Sequence, residues 1–293
     1  MGRLAQLGEH HVRIVGVVGS SPTPSTKSPL FSRNTQSLAD DITLRQQLEK
    51  MRHDWDQRAR ENALHYVDNS REQWTDEEFL AAGETCIEEQ ILTDMGNICQ
   101  GRDPQRMRVI EIGCGTGRLT NALAKRFGEV HAVDVSGEMI SQAREMLKAH
   151  QNVHLYQNNG FDLSVLPRQE YDFAFTLVVF QHIPSYQVIE NYVREVHRLL
   201  RPGALFKFQV QGHVSVESSP EDTWFGVPFS RQQAADMAAR TGFELRHTFG
   251  DGDQYFWLWY FKRTGLAVWK HKLAYQARRV KGGIARRLKR TAS

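Results

Sequence analysis

Apolar residues change their period along this chain. Between Met51 and Gln100 they recur at helical spacing. Trp55, Ala59, Ala63 and Tyr66 mark one helix, and Phe79, Ile87, Ile91, Met95 and Ile98 share a face of a second. Thr75 and Glu78 have the spacing of a capping box at the start of the second helix, which Gly101 and Pro104 end. From Arg108 onward, short apolar runs alternate with amphipathic stretches. This pattern predicts strands over 108–112, 130–135, 153–157, 171–177 and 204–210, the last after an Arg201-Pro202-Gly203 turn. The helices between them are predicted to reach Phe127 (stopped by Gly128) and to cover 138–150 and 185–200. A second capping box, Ser230 with Gln233, opens a helix to Arg240 with Gly242 behind it. Strands over 243–249 and 255–261 follow, separated by a GDGD turn. Alternating strands and helices of this kind predict an α/β fold, a parallel sheet covered by helices on both faces. There is no internal repeat.

Composition alters this picture only at the two ends. The chain of 293 residues is 40% hydrophobic and 24% charged, as expected of a globular protein with a sizeable core. No window holds the roughly 18 consecutive apolar residues of a membrane span. Cys86, Cys99 and Cys114 are odd in number and lack Cys-x-x-Cys spacing, so neither a disulfide framework nor a cysteine zinc site is expected. A reducing, cytoplasmic setting is the expectation. Residues 263–293 carry ten Lys or Arg and no acid, which leaves −7 for the rest of a chain whose net charge is +3. Trp269, Leu273, Val280, Ile284 and Leu288 lie near helical spacing in this tail, interrupted by Gly282-Gly283. Such a segment suits an anionic membrane surface or RNA, or is simply solvated. Residues 1–35 show no period. Back-translation suggests a reason: Leu4-Ala5-Gln6-Leu7, Gly19-Ser20-Ser21-Pro22 and Thr26-Lys27 can be encoded by triplets that resemble, in order, the D-arm, T-arm and terminal CCA of a bacterial tRNA gene. The expectation is a start placed too early. Residues 1–50 are then a non-native leader, Met51 is the first residue, 51–104 a helical cap, 105–262 the catalytic domain and 263–293 the tail.

The chemistry is concentrated in EIGCGTGRLT, residues 111–120. Gly113, Gly115 and Gly117 follow the first strand, where open α/β sheets bind ligands. The spacing G-x-G-x-G departs from the G-x-G-x-x-G of dinucleotide sites. Glu111, two residues before the first glycine, would repel a pyrophosphate and suits a ligand carrying positive charge. Asp134 ends the second strand, where an acid accepts from ribose hydroxyls.

With these residues in place, VIEIGCGTG, VHAVDVS, EYDFAFTLVVFQHIP and LLRPGALFKFQV resemble the successive motifs of class I S-adenosylmethionine-dependent methyltransferases, of a bacterial type 11/12-like kind. The resemblance runs from about Arg108 to Phe261. It implies a three-layer, Rossmann-like sandwich with seven strands, the last antiparallel, and S-adenosylmethionine as cofactor. By the same resemblance Gly113, Cys114, Gly115 and Gly117 approach the methionine and ribose, Glu111 meets the ammonium or orients the loop, and Asp134 grips the ribose. Val135 lies on the adenine, and Thr176 and Leu177 border the methionine end. In QNNGFDL, Asn159 stands where many members have an acid, with Gly160 beside it, and either Asn159 or Asp162 contacts the adenine amino group.

His182 in FQHIP is the candidate base; a structural role at the start of the next helix is the alternative. Phe180 and Gln181 are expected to line the pocket, with Tyr66 and Trp74 from the cap and Trp224 from the irregular segment 211–228. The Asn/Asp-Pro-Pro-Tyr motif of enzymes that methylate amino groups of DNA bases is missing after the fourth strand, so base-specific DNA recognition is not expected. The expected function is methyl transfer to a small-molecule or lipid-like acceptor. The alternatives are a cofactor-binding partner subunit without turnover and, less favoured by Glu111 and the glycine spacing, a nicotinamide oxidoreductase.

Overall fold

The change of period from 3.6 to 2 near residue 108 corresponds to the change from a helical cap to a sheet. The computed structural model describes residues 29–213 and 223–265. Helix α1 (Pro29–Val67) is broken at Asn62, whose backbone is extended. Met51, Ala59 and Ala63 are buried on it, and Leu44 and Leu48 also pack on the core. The division expected at Met51 falls inside the first segment of this helix; residues 1–28 and 266–293, with most of the basic tail, lie outside the described residues.

Helix α2 (Asp76–Gln90) starts with the expected Thr75–Glu78 capping box. It is shorter than its apolar stripe suggests. The stripe continues through a 3-10 turn at Leu92–Asp94 into the short α3 (Met95–Cys99), which buries Ile98. Lys207 donates to the carbonyl of Gln90 (2.5 Å), so a side chain satisfies a backbone group at the point where α2 stops.

The strands are β1 (Arg108–Ile112), β2 (Glu129–Asp134), β3 (Val153–Gln157), β4 (Tyr171–Thr176), β5 (Leu200–Val210), β6 (Phe243–Phe249) and β7 (Phe256–Lys262). They form one sheet in the order β3-β2-β1-β4-β5-β7-β6, parallel except for β7, which is antiparallel to both its neighbours. Strand β5 starts four residues earlier than expected. Gly203 (φ +80°) and a shift of register opposite Tyr171 and Phe173 carry the Arg-Pro-Gly segment within the strand.

Helices α4 (Arg118–Ala124), α5 (Gly137–Met146), α6 (Tyr186–Leu199) and α7 (Arg231–Thr241) complete the layers. One core sets Val188, Tyr192 and Val196 of α6 and Ala234 of α7 against Phe206, Phe208 and Tyr260. The other sets Ile87 of α2 and Leu119 and Leu123 of α4 against Val109, Phe173 and Trp257. Strand order reverses between β1 and β4, so a crevice opens there at the carboxyl ends of the strands. Helix α1 lies across that end through Ala59 and Ala63, packed on Met139 of α5.

Candidate functional site

Gly113, Gly115 and Gly117 have φ of +73°, +53° and +95°, a region that only glycine enters without cost. The turn is fixed by its own backbone: Gly113 and Cys114 donate to the carbonyl of Val133 at 2.8 and 3.1 Å. A Cβ on Gly115 would come within 2.6 Å of Val67 Cγ2 on α1, and one on Gly113 would collide with Val179. The loop thus presents bare backbone to the crevice, with two valines resting on it.

Asp134 lies beside this turn. Its Oδ2 accepts from the N–H of Gly115 and its Oδ1 from the N–H of Ser136, both at 2.9 Å. The N–H of Val135 acts on the same carboxylate. Burial raises its pKa above the ordinary aspartate range, against the pull of these backbone N–H groups. Glu111 on β1 is 2% exposed and accepts from Thr120 Oγ1 at 2.6 Å. Burial pushes its carboxyl up to about 7, opposed by Thr120 and Arg118. Arg118 pairs with Asp68 at 2.5 Å, and its Nε is buried with no partner among the described residues.

A narrow cavity of about 90 Å³ joins these groups. Its lining includes Glu111, Gly113, Cys114, Gly115 and Arg118, together with Asp134, Val135, Asn158, Tyr192 and Met51, and with Trp55, Tyr66, Val179, His182 and Ile183. His182 is 7% exposed. Its Nδ1 lies 2.6 Å from the carbonyl of Trp224 and donates to it, and its Nε2 lies 3.4 Å from Gln181 Nε2. The Trp55 ring meets His182 edge-on at 5.6 Å, and Arg58 stacks between Trp55 and Trp224 at 4.7 and 5.3 Å.

The structure brings Glu111, Gly113, Cys114, Gly115, Asp134, Val135, Leu177, Tyr66 and His182 around one cavity. Gly117 lies behind the loop, on Leu147, as the N-cap of α4. Thr176 ends β4 with its hydroxyl buried and no partner for it among the described residues. Asn159 and Asp162 face each other instead of the cavity. Asn159 Oδ1 accepts from the N–H groups of Phe161 and Asp162, and its Nδ2 donates to Asp162 Oδ2. Gly160 closes the same turn, against Met51 and Val135. The neighbour, Asn158, enters the cavity and donates to Tyr192 Oη at 2.7 Å. Trp74 lies away from the cavity, edge-on to Phe79. Phe180 is buried among Tyr192, Phe206 and Phe208. Gln181 and Trp224 contact His182 from outside the lining.

Two residues of the site were invisible to pattern reading. Asn158 continues the β2–β3 ladder, its N–H donating to Asp134 O at 2.9 Å; counting the ladder one residue beyond Gln157 is the signal that finds it. Val178 has φ +56°, rare for a β-branched residue, and Gln209 of β5 holds its N–H at 3.0 Å. No local sequence signal marks that strain.

A family model described as a methyltransferase domain matches residues 109–203. The demethylmenaquinone methyltransferase of Staphylococcus aureus (strain MRSA252) is 29% identical over 121 residues, 40% of this chain and 45% of that protein. The ubiquinone biosynthesis O-methyltransferase of Pseudomonas syringae pv. tomato is 24% identical over 174 residues, 59% of this chain and 62% of that protein. The chain thus spans about half the length of the curated relatives it matches. In fold it is similar to the crystal structure of magnesium protoporphyrin IX methyltransferase from Synechocystis PCC 6803 with bound SAM. The TM-score is 0.52 at 15% identity, covering 74% of this chain and 97% of that one.

Proposed function

We propose, from the premise that residues 109–203 are a class I S-adenosylmethionine-dependent methyltransferase domain, that the chain transfers a methyl group to a small-molecule or lipid-like acceptor with a flat ring. The observation that carries this reading is the Asp134 carboxylate. Two backbone N–H groups fix it beside the bare glycine turn.

The residues fit the cofactor. Asp134 would accept from the two ribose hydroxyls, and Glu111 is a buried carboxyl that a bound ammonium would hold ionised. Arg118 has a spare buried N–H for the carboxylate of the methionine part. Val135, Met51, Tyr192 and Asn158 offer an apolar slot with one amide for the base. When bound, S-adenosylmethionine supplies a methyl group already activated by the positive sulfur. The protein has then to align the acceptor and exclude water. Trp55, Tyr66 and His182 give that end aromatic walls, which favour a planar acceptor. The quinone chemistry in the names of both relatives agrees with such walls. In its neutral form His182 would take the proton of an acceptor hydroxyl at Nε2. Ligand pockets are commonly about 300 Å³ or larger, so binding requires Val67 and Val179 to withdraw from the glycines.

Basic residues 263–293 are a proposed contact for an anionic membrane or RNA. No helix among the described residues is long and apolar enough to cross a membrane.

Calorimetric titration of S-adenosylhomocysteine into the full chain tests the reading. Micromolar binding, lost in Asp134→Ala, with no heat from NADH, is expected. Turnover of S-adenosylmethionine on a panel of quinols and phenols should follow, falling in His182→Ala with binding retained. Binding of NADH, or no binding of S-adenosylhomocysteine by folded protein, would sink it.

A further inference from the structure

We propose that Glu129, His131 and His154 form a binding site for a divalent transition metal, Zn²⁺ above all, which fastens edge strand β3 to β2. The site is separate from the cavity described above, since none of the three residues lines it.

His131 and His154 are direct partners in the parallel β2–β3 ladder, so their side chains leave the same face side by side. Their rings are 4.6 Å apart between centroids and inclined by 34°. Glu129 precedes His131 by two residues and shares that face. Its Oε2 lies 3.4 Å from His131 Nε2. One donor atom from each of the three residues lies within 4.8 Å of the others. Zinc bonds of about 2.0–2.1 Å in a tetrahedron require donors roughly 3.3 Å apart, a distance within reach of small rotations of the exposed His154.

Two histidines and one carboxylate, with a fourth position open to water, is a ligand set that zinc uses. The surroundings suit it. His131 is 3% exposed. Tyr156 Oη lies 3.2 Å from His131 Nδ1 and would orient the ring from behind, as outer partners of ligating histidines do. Gln169 Nε2 lies 3.2 Å from Nε2 and must turn aside or present its oxygen. Arg108 pairs with Glu129 at 3.0 Å. That pair is half exposed and of a kind worth little, so a dication can displace it. His154 is exposed and gives the ion a route in from solvent.

The test uses the full chain without a histidine tag, stripped of metal by a chelator that is then removed. Titration with CoCl₂ should give one equivalent of binding with the visible absorption of four-coordinate cobalt, and ZnCl₂ should displace it. ZnCl₂ should also raise the melting temperature. His154→Ala, at an exposed position, and Glu129→Gln should each weaken binding by more than about tenfold and abolish the thermal shift. Binding of S-adenosylhomocysteine by both variants shows that they are folded; should that ligand fail with the parent chain too, circular dichroism serves instead. No cobalt band in the parent chain, or the same band and affinity in both variants, would overturn the proposal.

Discussion

Glu111 has an ordinary carboxyl range near 4.5, and burial raises it to about 7. Between those values the folded protein binds a proton that the unfolded chain has released. Stability from this group therefore falls as pH rises from 4.5 to about 7 and is level above that. Glu111→Gln keeps an acceptor for Thr120 and removes the buried charge. In ligand-free protein the variant should match the parent near pH 5 and exceed it near pH 8, by roughly 3 kcal/mol at most. Paired thermal melts across this range check it, and a difference independent of pH would refute it. A bound ammonium favours the ionised carboxylate, so S-adenosylhomocysteine should bind the parent more tightly as pH rises from about 6 to 8, and the variant evenly. Glu111 and Asp134 were legible because each stands next to a strand end or a glycine, where a local rule applies. Asn158 was not, because Asn159 beside it has the same side chain. Beyond the ladder count, the turn, in which Asn159 satisfies two backbone N–H groups, shows which of the two faces inward.

At the scale of elements, helix α1 is the part most open to test. Asp56 on α1 accepts from Ser136 Oγ at 2.6 Å and from the N–H of Glu138 at 3.3 Å, so it adds a second cap to α5 from another helix. Gln142 donates to the carbonyl of Ala59 at 3.1 Å, and Asp68, just past the end of α1, holds Arg118. These ties keep Trp55 and Tyr66 over the cavity. Asp56→Ala should cost about 1 kcal/mol, as loss of a cap does. It should speed hydrogen exchange in α1 while leaving the central strands protected. Equal exchange in the two proteins would show that Asp56 holds nothing in place. The helical period of α1 was legible from Trp55 to Tyr66, but its origin upstream was not, because codon resemblance and folding are independent signals. Met51 as first residue remains a proposal. The mass of the native protein tests it, and the packing of Leu44 and Leu48 on the core is the observation that stands against it.

At the scale of the whole molecule, the sequence period gave the strands, and the family resemblance gave the antiparallel end of the sheet. Neither gave the tie between cap and sheet, because a lysine in an apolar strand reads as facing solvent. Lys207 of β5 points the other way. Its side chain is 3% exposed, sits over the faces of Trp257 and Trp259, and pairs with Asp94, between α2 and α3, at 3.4 Å. Asp94 also accepts from Trp259 Nε1 at 2.5 Å. Burial lowers the Lys207 pKa, and Asp94 works against that. Removing one member of a buried pair strands the other, at a cost of about 3–5 kcal/mol, whereas replacing both with apolar groups is often neutral. Asp94→Ala should therefore lower the urea midpoint strongly. Adding Lys207→Met to it should recover most of the loss, although one substitution more has been made. The deficit of Asp94→Ala should also shrink as pH rises toward the ordinary lysine range. A lysine whose folded pKa is depressed below its unfolded value costs most where it must stay charged, and progressively less as the folded state sheds the proton. If the double variant is no better than Asp94→Ala, the loss belongs to the Trp259 hydrogen bond and to packing rather than to a stranded charge, and the cap is held to the sheet by Asp94 as an acceptor.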